Sequence, residues 1–93
     1  MLHIFIRPRE GVTTAEIEQK LDLGLEWIRY APGSYVVYTS KTPKDWQARL
    51  KPFVDPGGHL FILSIDPDEF TGWMPKSIWT WMKARKKDIY GDE

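Results

Sequence analysis

The sequence predicts an α+β fold in which the order β-α-β-β-α-β is followed by an additional C-terminal helix. Short runs rich in branched and aromatic residues, which favour strands, alternate with segments whose apolar residues recur at helical spacing. Threonine–proline and proline–glycine pairs stand between these segments, where helices begin and chains turn. With 93 residues, 42% of them hydrophobic, the chain is long enough for one domain with a small core.

The first strand and the first helix are predicted near the amino terminus. Residues 2–7, LHIFIR, alternate so that three aliphatic side chains share one face of a strand, and Pro8 ends the run because it has no backbone N–H. Residues 13–21 are expected to form a short helix. Thr13 stands three residues before Glu16, which is the spacing of a capping box.

Two strands are predicted to follow as an antiparallel hairpin. Residues 25–30, LEWIRY, and residues 34–40, SYVVYTS, are rich in aromatic and branched residues. The turn between them contains Pro32 and Gly33, a pair typical of tight turns. A helix over residues 21–30 also fits the apolar spacing, but the cluster of Trp, Ile and Tyr favours a strand.

The remaining elements are a helix, a strand and a final helix. A threonine–proline pair at 42–43 opens the second helix, which is expected to end near Lys51 or to continue as an irregular turn, because Pro52 disfavours a helix interior. Residues 59–65, HLFILSI, are almost wholly apolar, which predicts a strand covered on both faces. Residues 75–87 predict the third helix, which begins with a proline.

These elements predict a single domain over residues 1–93, with an ordered core over about 2–87 and a loose tail over 88–93. Two β-α-β units joined in this order give a ferredoxin-like βαββαβ sandwich with the additional C-terminal helix outside it. The first and third strands are expected at the centre of the sheet, running parallel. The third helix or a second copy of the chain is expected to cover the sheet face that the first two helices leave open.

Composition limits the classes of function. The chain has no cysteine and a formal net charge of zero, so it has neither a disulfide framework nor a bulk attraction to nucleic acid. No window is apolar enough to cross a membrane, and no signal peptide is recognised, so we expect a cytoplasmic protein without a membrane partner. Five tryptophans in so small a domain predict that at least one lies at a partner surface.

Three segments together resemble a known family. They are the hairpin over residues 27–38 with the threonine–proline helix start after it, the segment LKPFVDPGGHLFILSID over residues 50–66, and the tryptophan-rich helix that GWMPK at residues 72–76 introduces. They resemble the small CRISPR adaptation nucleases and their SinR-like bacterial relatives over residues 23–85. The resemblance implies a ferredoxin-like protomer, usually a homodimer, and in some members a metal-dependent nuclease.

The sequence departs from this family where the metal would bind. The resemblance implies an aspartate after the first strand, whereas this chain has Arg7 and Pro8 there, with Glu10 beyond the proline. A hard cation needs carboxylate oxygens, and an arginine opposes it. The two histidines are expected at opposite ends of neighbouring strands, with His3 near the acidic turn at residues 66–69. We therefore expect no catalytic residue, no metal and no cofactor.

Two groups of residues are candidates for binding. Because the first and third strands are expected to run parallel, their carboxyl ends would meet at one edge. Four basic residues there either form a patch that binds nucleic acid or phosphate or are scattered surface charges: Arg7, Arg9, Lys41 and Lys44. Phe5 and Tyr38 are expected on one face of the two central strands, either in a dimer interface or stacked on bases. Trp73 either anchors the third helix or is an interface residue.

The sequence leaves three functions open. The first is a non-catalytic dimeric interaction module that binds a protein or nucleic-acid partner. The second is a divalent-metal-dependent nuclease with an altered site. The third is a structural or inhibitory protein, such as a phage-borne one, that acts by occupying another protein's surface.

Overall fold

The computed structural model describes residues 1–66 and 68–90, with the side chains of the last helix described to residue 85. Within this part of the chain the order of elements is the predicted one. The strands are β1 (Leu2–Arg7), β2 (Glu26–Ala31), β3 (Ser34–Tyr38) and β4 (His59–Ser64), and the helices are α1 (Thr14–Leu21), α2 (Pro43–Val54) and α3 (Lys76–Tyr90).

The strands form one antiparallel sheet in the order β2-β3-β1-β4. The central position of β1 and β3 is confirmed, but the expectation that they run parallel is wrong. Leu2 pairs with Val37 and Phe5 with Ser34, so β1 and β3 are antiparallel. The reason is that each β-α-β unit makes its own two strands parallel, and the hairpin between β2 and β3 then reverses the second unit. The carboxyl end of β1 and the carboxyl end of β3 therefore lie at opposite ends of the sheet, measured along the strands.

The helices extend further than the sequence predicts. α2 continues past Pro52 to Val54. A proline in the last turn removes only one intrahelical hydrogen bond, and the helix is also held by its packing against the sheet. α3 begins at Lys76 and continues to Tyr90, so the predicted loose tail is helical over residues 88–90. The last part of that predicted tail, residues 91–93, lies outside the described residues.

Both predicted amino-terminal caps are confirmed. Thr13 Oγ1 accepts a hydrogen bond from the Glu16 backbone N–H at 3.2 Å. At α2 the capping box is reciprocal, since Thr42 Oγ1 accepts from the Asp45 N–H while the Asp45 carboxylate accepts from the Thr42 N–H. The hydrogen bond from the Thr42 backbone is the main reason that the pKa of Asp45 lies below its ordinary value. These bonds hold the first turn of α2 at residues 42–45.

The main core lies between α1, α2 and the face of the sheet that we call the first face. Trp46 and Leu50 of α2 are fully buried there against aliphatic side chains of β1. Tyr35 on β3 is also buried, and its hydroxyl donates to Glu18 Oε2 at 3.0 Å. Burial, reinforced by that carboxylate, raises the pKa of Tyr35 to about 12.

A second, smaller core lies on the opposite face, which we call the second face. Ile78 and Met82 of α3 are buried against Val36 of β3. Ile28 and Tyr30 of β2 pack against the same cluster. The prediction that the third helix covers part of this face is therefore confirmed, and the covered part is the half formed by β2 and β3.

Candidate interaction surface

The half of the second face formed by β1 and β4 carries an exposed apolar strip. Phe5 stands directly opposite Phe61, and Leu63 lies two residues further along β4 on the same face. These three side chains, which we call the apolar strip, are 39%, 63% and 39% exposed. The prediction that β4 is covered on both faces is wrong, because α3 lies over the other half of the sheet. Three large apolar side chains side by side on a sheet form a surface suited to a partner.

The two ends of the apolar strip carry opposite charge. Arg7 and His59 face each other across β1 and β4 at one end, and both are exposed. The chain leaves the other end of β4 into an acidic turn that contains Asp66 and Glu69, both exposed. A six-residue strand is about 20 Å long, so the strip separates a basic end from an acidic end by roughly that distance.

The four basic residues predicted to form one patch lie at the two ends of α2. Lys41 and Lys44 lie at its amino-terminal end, next to the cap. Arg9 lies at the carboxyl-terminal end, where its Nε donates to the Pro52 carbonyl at 2.9 Å and its backbone N–H to the Phe53 carbonyl at 2.7 Å. A twelve-residue helix is about 18 Å long, so the single predicted patch does not form. Arg9 instead satisfies carbonyls that the helix end leaves without partners.

The structure separates the aromatic residues that the sequence brought together. Phe5 belongs to the apolar strip, whereas Tyr38 lies at the far end of β3, opposite Glu26 of β2. The Arg85 guanidinium of α3 is 5.9 Å from the centroid of the Tyr38 ring. Trp73 is 100% exposed, so the interpretation that it packs back to anchor α3 is wrong. Its full exposure is consistent with an interface role.

His3 lies on the boundary between the covered and open halves of the second face. It stands opposite Val36 on one side and Leu63 on the other. Its Nε2 is hydrogen-bonded to the Tyr30 hydroxyl, so the bond that holds this ring comes from β2 and not from the acidic turn. His3 and His59 lie at opposite ends of β1 and β4, as predicted. Partial burial holds the pKa of the His3 imidazole below its ordinary value.

We expect the His3 imidazole to make stability fall over the range from neutral pH to the acid side of histidine's ordinary pKa, which is about 6.5. Its pKa is lower in the folded than in the unfolded chain, so the unfolded chain binds the proton first as pH falls. The stability contributed by the neutral ring is complete above the unfolded pKa and is lost as pH falls toward the folded pKa. Urea midpoints at both ends of this range are the measurement. The variant His3→Gln should lose less stability than the wild type, and an equal loss in both proteins would contradict the assignment.

The described residues contain no group of three or more His, Cys, Asp or Glu side chains that could hold a metal ion. Among the same residues, no helix is both long and apolar enough to cross a bilayer. Comparisons with protein-family models, curated proteins and solved structures find no match to this chain. The resemblance to the CRISPR adaptation nucleases therefore stays an expectation from sequence.

Sequence reasoning identified Phe5 but missed Phe61 and Leu63, its neighbours in the apolar strip. The signal for them was the strand HLFILSI itself, in which Phe61 and Leu63 alternate with Leu60 and Ile62. A continuous apolar run does not show which of its two faces is covered. That depends on where α3 docks.

Proposed function

We propose that this protein is a non-catalytic interaction module that forms a homodimer through the apolar strip. The observation that carries the proposal is the exposure of Phe5, Phe61 and Leu63 side by side on a sheet whose other half is already covered. Packing the strips of two copies together removes these side chains from water, which is the dominant favourable term in association.

We further propose that the fold is the ferredoxin-like βαββαβ sandwich with an additional helix, acting in the cytoplasm. The order of elements and the sheet order β2-β3-β1-β4 support the fold assignment. In this arrangement α1 and α2 occupy the first face, and α3 takes half of the second. The remaining half is the surface that the module uses.

The charges at the ends of the apolar strip favour one mutual orientation of the two copies. A two-fold axis in the plane of the interface and perpendicular to the strands sets the strips antiparallel. Arg7 and His59 of one copy then lie next to the acidic turn of its partner, which contains Asp66 and Glu69. The parallel orientation places like charges together and is disfavoured.

The size of the strip sets the expected strength of the dimer. A stable interface buries about 800 Å² on each partner, which is more than three side chains supply. We therefore expect a concentration-dependent dimer that contacts the rim of the strip as well as its centre. Its association should weaken as salt screens the charges at the two ends.

Sedimentation velocity over a range of concentrations tests the proposal. The wild type should pass from monomer to dimer as its concentration rises into the high micromolar range. The double variant Phe61→Thr/Leu63→Thr should stay monomeric, because threonine suits a strand but removes most of the apolar area. The matched control is Leu23→Thr/Leu25→Thr, which changes two leucines that are exposed in the loop after α1. It should dimerise like the wild type.

A wild type that stays monomeric at the highest concentration contradicts the dimer. So does a strip variant that dimerises as strongly as the control. A monomer that binds single-stranded oligonucleotide in a salt-dependent way, and loses that binding in Phe61→Thr, would replace the dimer by base stacking on Phe5 and Phe61.

A further inference from the structure

The two edges of the sheet differ in how they are protected. At the β2 edge the pairing with β3 has a bulge between Arg29 and Ala31. The charged side chains of β2 are also held by the neighbouring helices, Arg29 by Glu18 of α1 at 2.9 Å and Glu26 by the indole N–H of Trp81 of α3 at 3.1 Å. Bulges and charges are the usual devices that prevent an edge from pairing with another strand.

The β4 edge has none of these devices. Its six residues, HLFILS, contain no proline, lysine or acid, and they pair with β1 in one unbroken register. No described strand pairs with the outer side of β4. In such a strand the backbone N–H and C=O groups of alternate residues point outward and have capacity for another strand.

A groove runs along this unprotected edge, between α2 and β4, with a volume of about 370 Å³. We call it the edge groove. Its lining on the β4 side is apolar, from Leu60 to Ile62. On the helix side the groove is lined by Pro43 and by a stripe of residues spaced by three or four positions: Lys44, Gln47, Lys51 and Val54.

The charge of the edge groove selects its occupant. Lys44 and Lys51 are both exposed, and no acidic residue among those that the structure describes lines the groove. Seven residues of helix separate the two lysines by about 10 Å along the axis. Side chains on one face of an extended strand recur about every 7 Å, so flexible lysines at this separation match carboxylates placed two or four residues apart.

We propose that the edge groove binds an extended acidic segment of a partner protein, which adds as a further strand along β4. Its backbone pairs with the free edge of β4, and its carboxylates meet Lys44 and Lys51. Main-chain pairing supplies the affinity in this mode of recognition, and alternate side chains supply the specificity. The inference concerns a different surface from the apolar strip, with which it shares only Phe61, and it does not depend on the dimer.

The probe that tests the proposal is a blocked octapeptide of alternating valine and glutamate. Titration into isotope-labelled protein should give saturable shifts in the backbone amides of β4 and of the lining residues of α2. The double variant Lys44→Glu/Lys51→Glu should bind it at least about tenfold more weakly, since two exposed charge attractions become repulsions. The matched control is Lys20→Glu/Lys83→Glu, which makes the same change of charge on α1 and α3 and should bind like the wild type.

Four results would overturn the proposal. They are the absence of binding at millimolar peptide, equal binding of the valine–lysine octapeptide, equal weakening in the control, and amide shifts confined to the apolar strip. Protection of the outward-pointing β4 amides from hydrogen exchange in the peptide-free dimer would also overturn it, since a second copy would then occupy the edge. The variant Phe5→Thr/Leu63→Thr separates the two surfaces, because neither residue lines the edge groove, so it should lose dimerisation and still bind the peptide.

Discussion

Replacing Trp46 with alanine is expected to lower the free energy of unfolding by about 3–5 kcal/mol, the range for removal of a buried large aromatic. Trp46 is 0% exposed and is among the largest fully buried side chains of the core. Its indole N–H donates to Thr39 Oγ1 at 3.2 Å, and the Arg49 guanidinium lies 4.8 Å from its ring centroid. The cavity left behind adds to the lost burial, since the neighbouring helix and sheet relax only in part.

Urea unfolding of the wild type and Trp46→Ala, followed by far-UV circular dichroism, measures this loss. A domain of this size has a total stability of roughly 5–14 kcal/mol, so the variant should unfold at a much lower urea concentration or fail to fold. Trp73→Ala is the matched control, because it deletes the same side chain where it is fully exposed. It should shift stability by no more than about 0.5 kcal/mol. Comparable losses in both variants would show that Trp46 does not hold the core together.

Replacing Ile78 with aspartate is expected to detach α3 from the sheet. Ile78 and Met82 are the buried residues through which the helix contacts Val36, and the residues packed around this cluster are apolar and aromatic. Burying the introduced carboxylate costs more free energy than the packing of the helix against the sheet provides, so the helix leaves the second face. We expect a loss of at least about 2 kcal/mol, the lower bound for deleting a buried isoleucine.

Binding of a hydrophobic dye and the fluorescence of Trp79 and Trp81 report the detachment. Dye binding and tryptophan fluorescence should both change in Ile78→Asp. The aromatic side chains of α3 become exposed to water, and so does the half of the second face that α3 covers. The neighbouring variant Ser77→Asp introduces the same charge at an exposed position in the first turn of α3, where a helix tolerates an acid. It should behave like the wild type. An unchanged Ile78→Asp would mean that α3 docks through other contacts.

The elements were predictable from sequence because their signals are local. Alternation in β1, the helix caps at Thr13 and Thr42, and the proline–glycine turn each depend on residues that are close along the chain. At Gly33 the structure shows why only glycine fits, since its φ is +75° and a Cβ there would lie 2.6 Å from the Ile6 carbonyl oxygen. Local rules of this kind predict the type of an element better than its last residue.

The candidate surfaces were less predictable because they depend on how distant elements meet. The relative direction of β1 and β3 follows from the whole chain path. Because this direction was predicted wrongly, Arg7 and Lys44 were expected in one patch, although they lie at opposite ends of α2. Hydrophobicity marks Phe61 and Leu60 alike, although α2 covers only the side of β4 that bears Leu60. Which half of the second face stays open is decided by the docking of α3, and that depends on Ile78 and Met82 finding Val36.

The unequal edges of the sheet limit how far such molecules can assemble. Polymerisation by strand addition requires two edge strands that can each pair with a strand of another molecule. Here the β2 edge has a bulge, and side chains of α1 and α3 hold its charged residues. Of the two described edges, only the β4 edge is therefore free to pair with another strand. Growth by this route would end after one addition, because each molecule offers one open edge strand among its described residues.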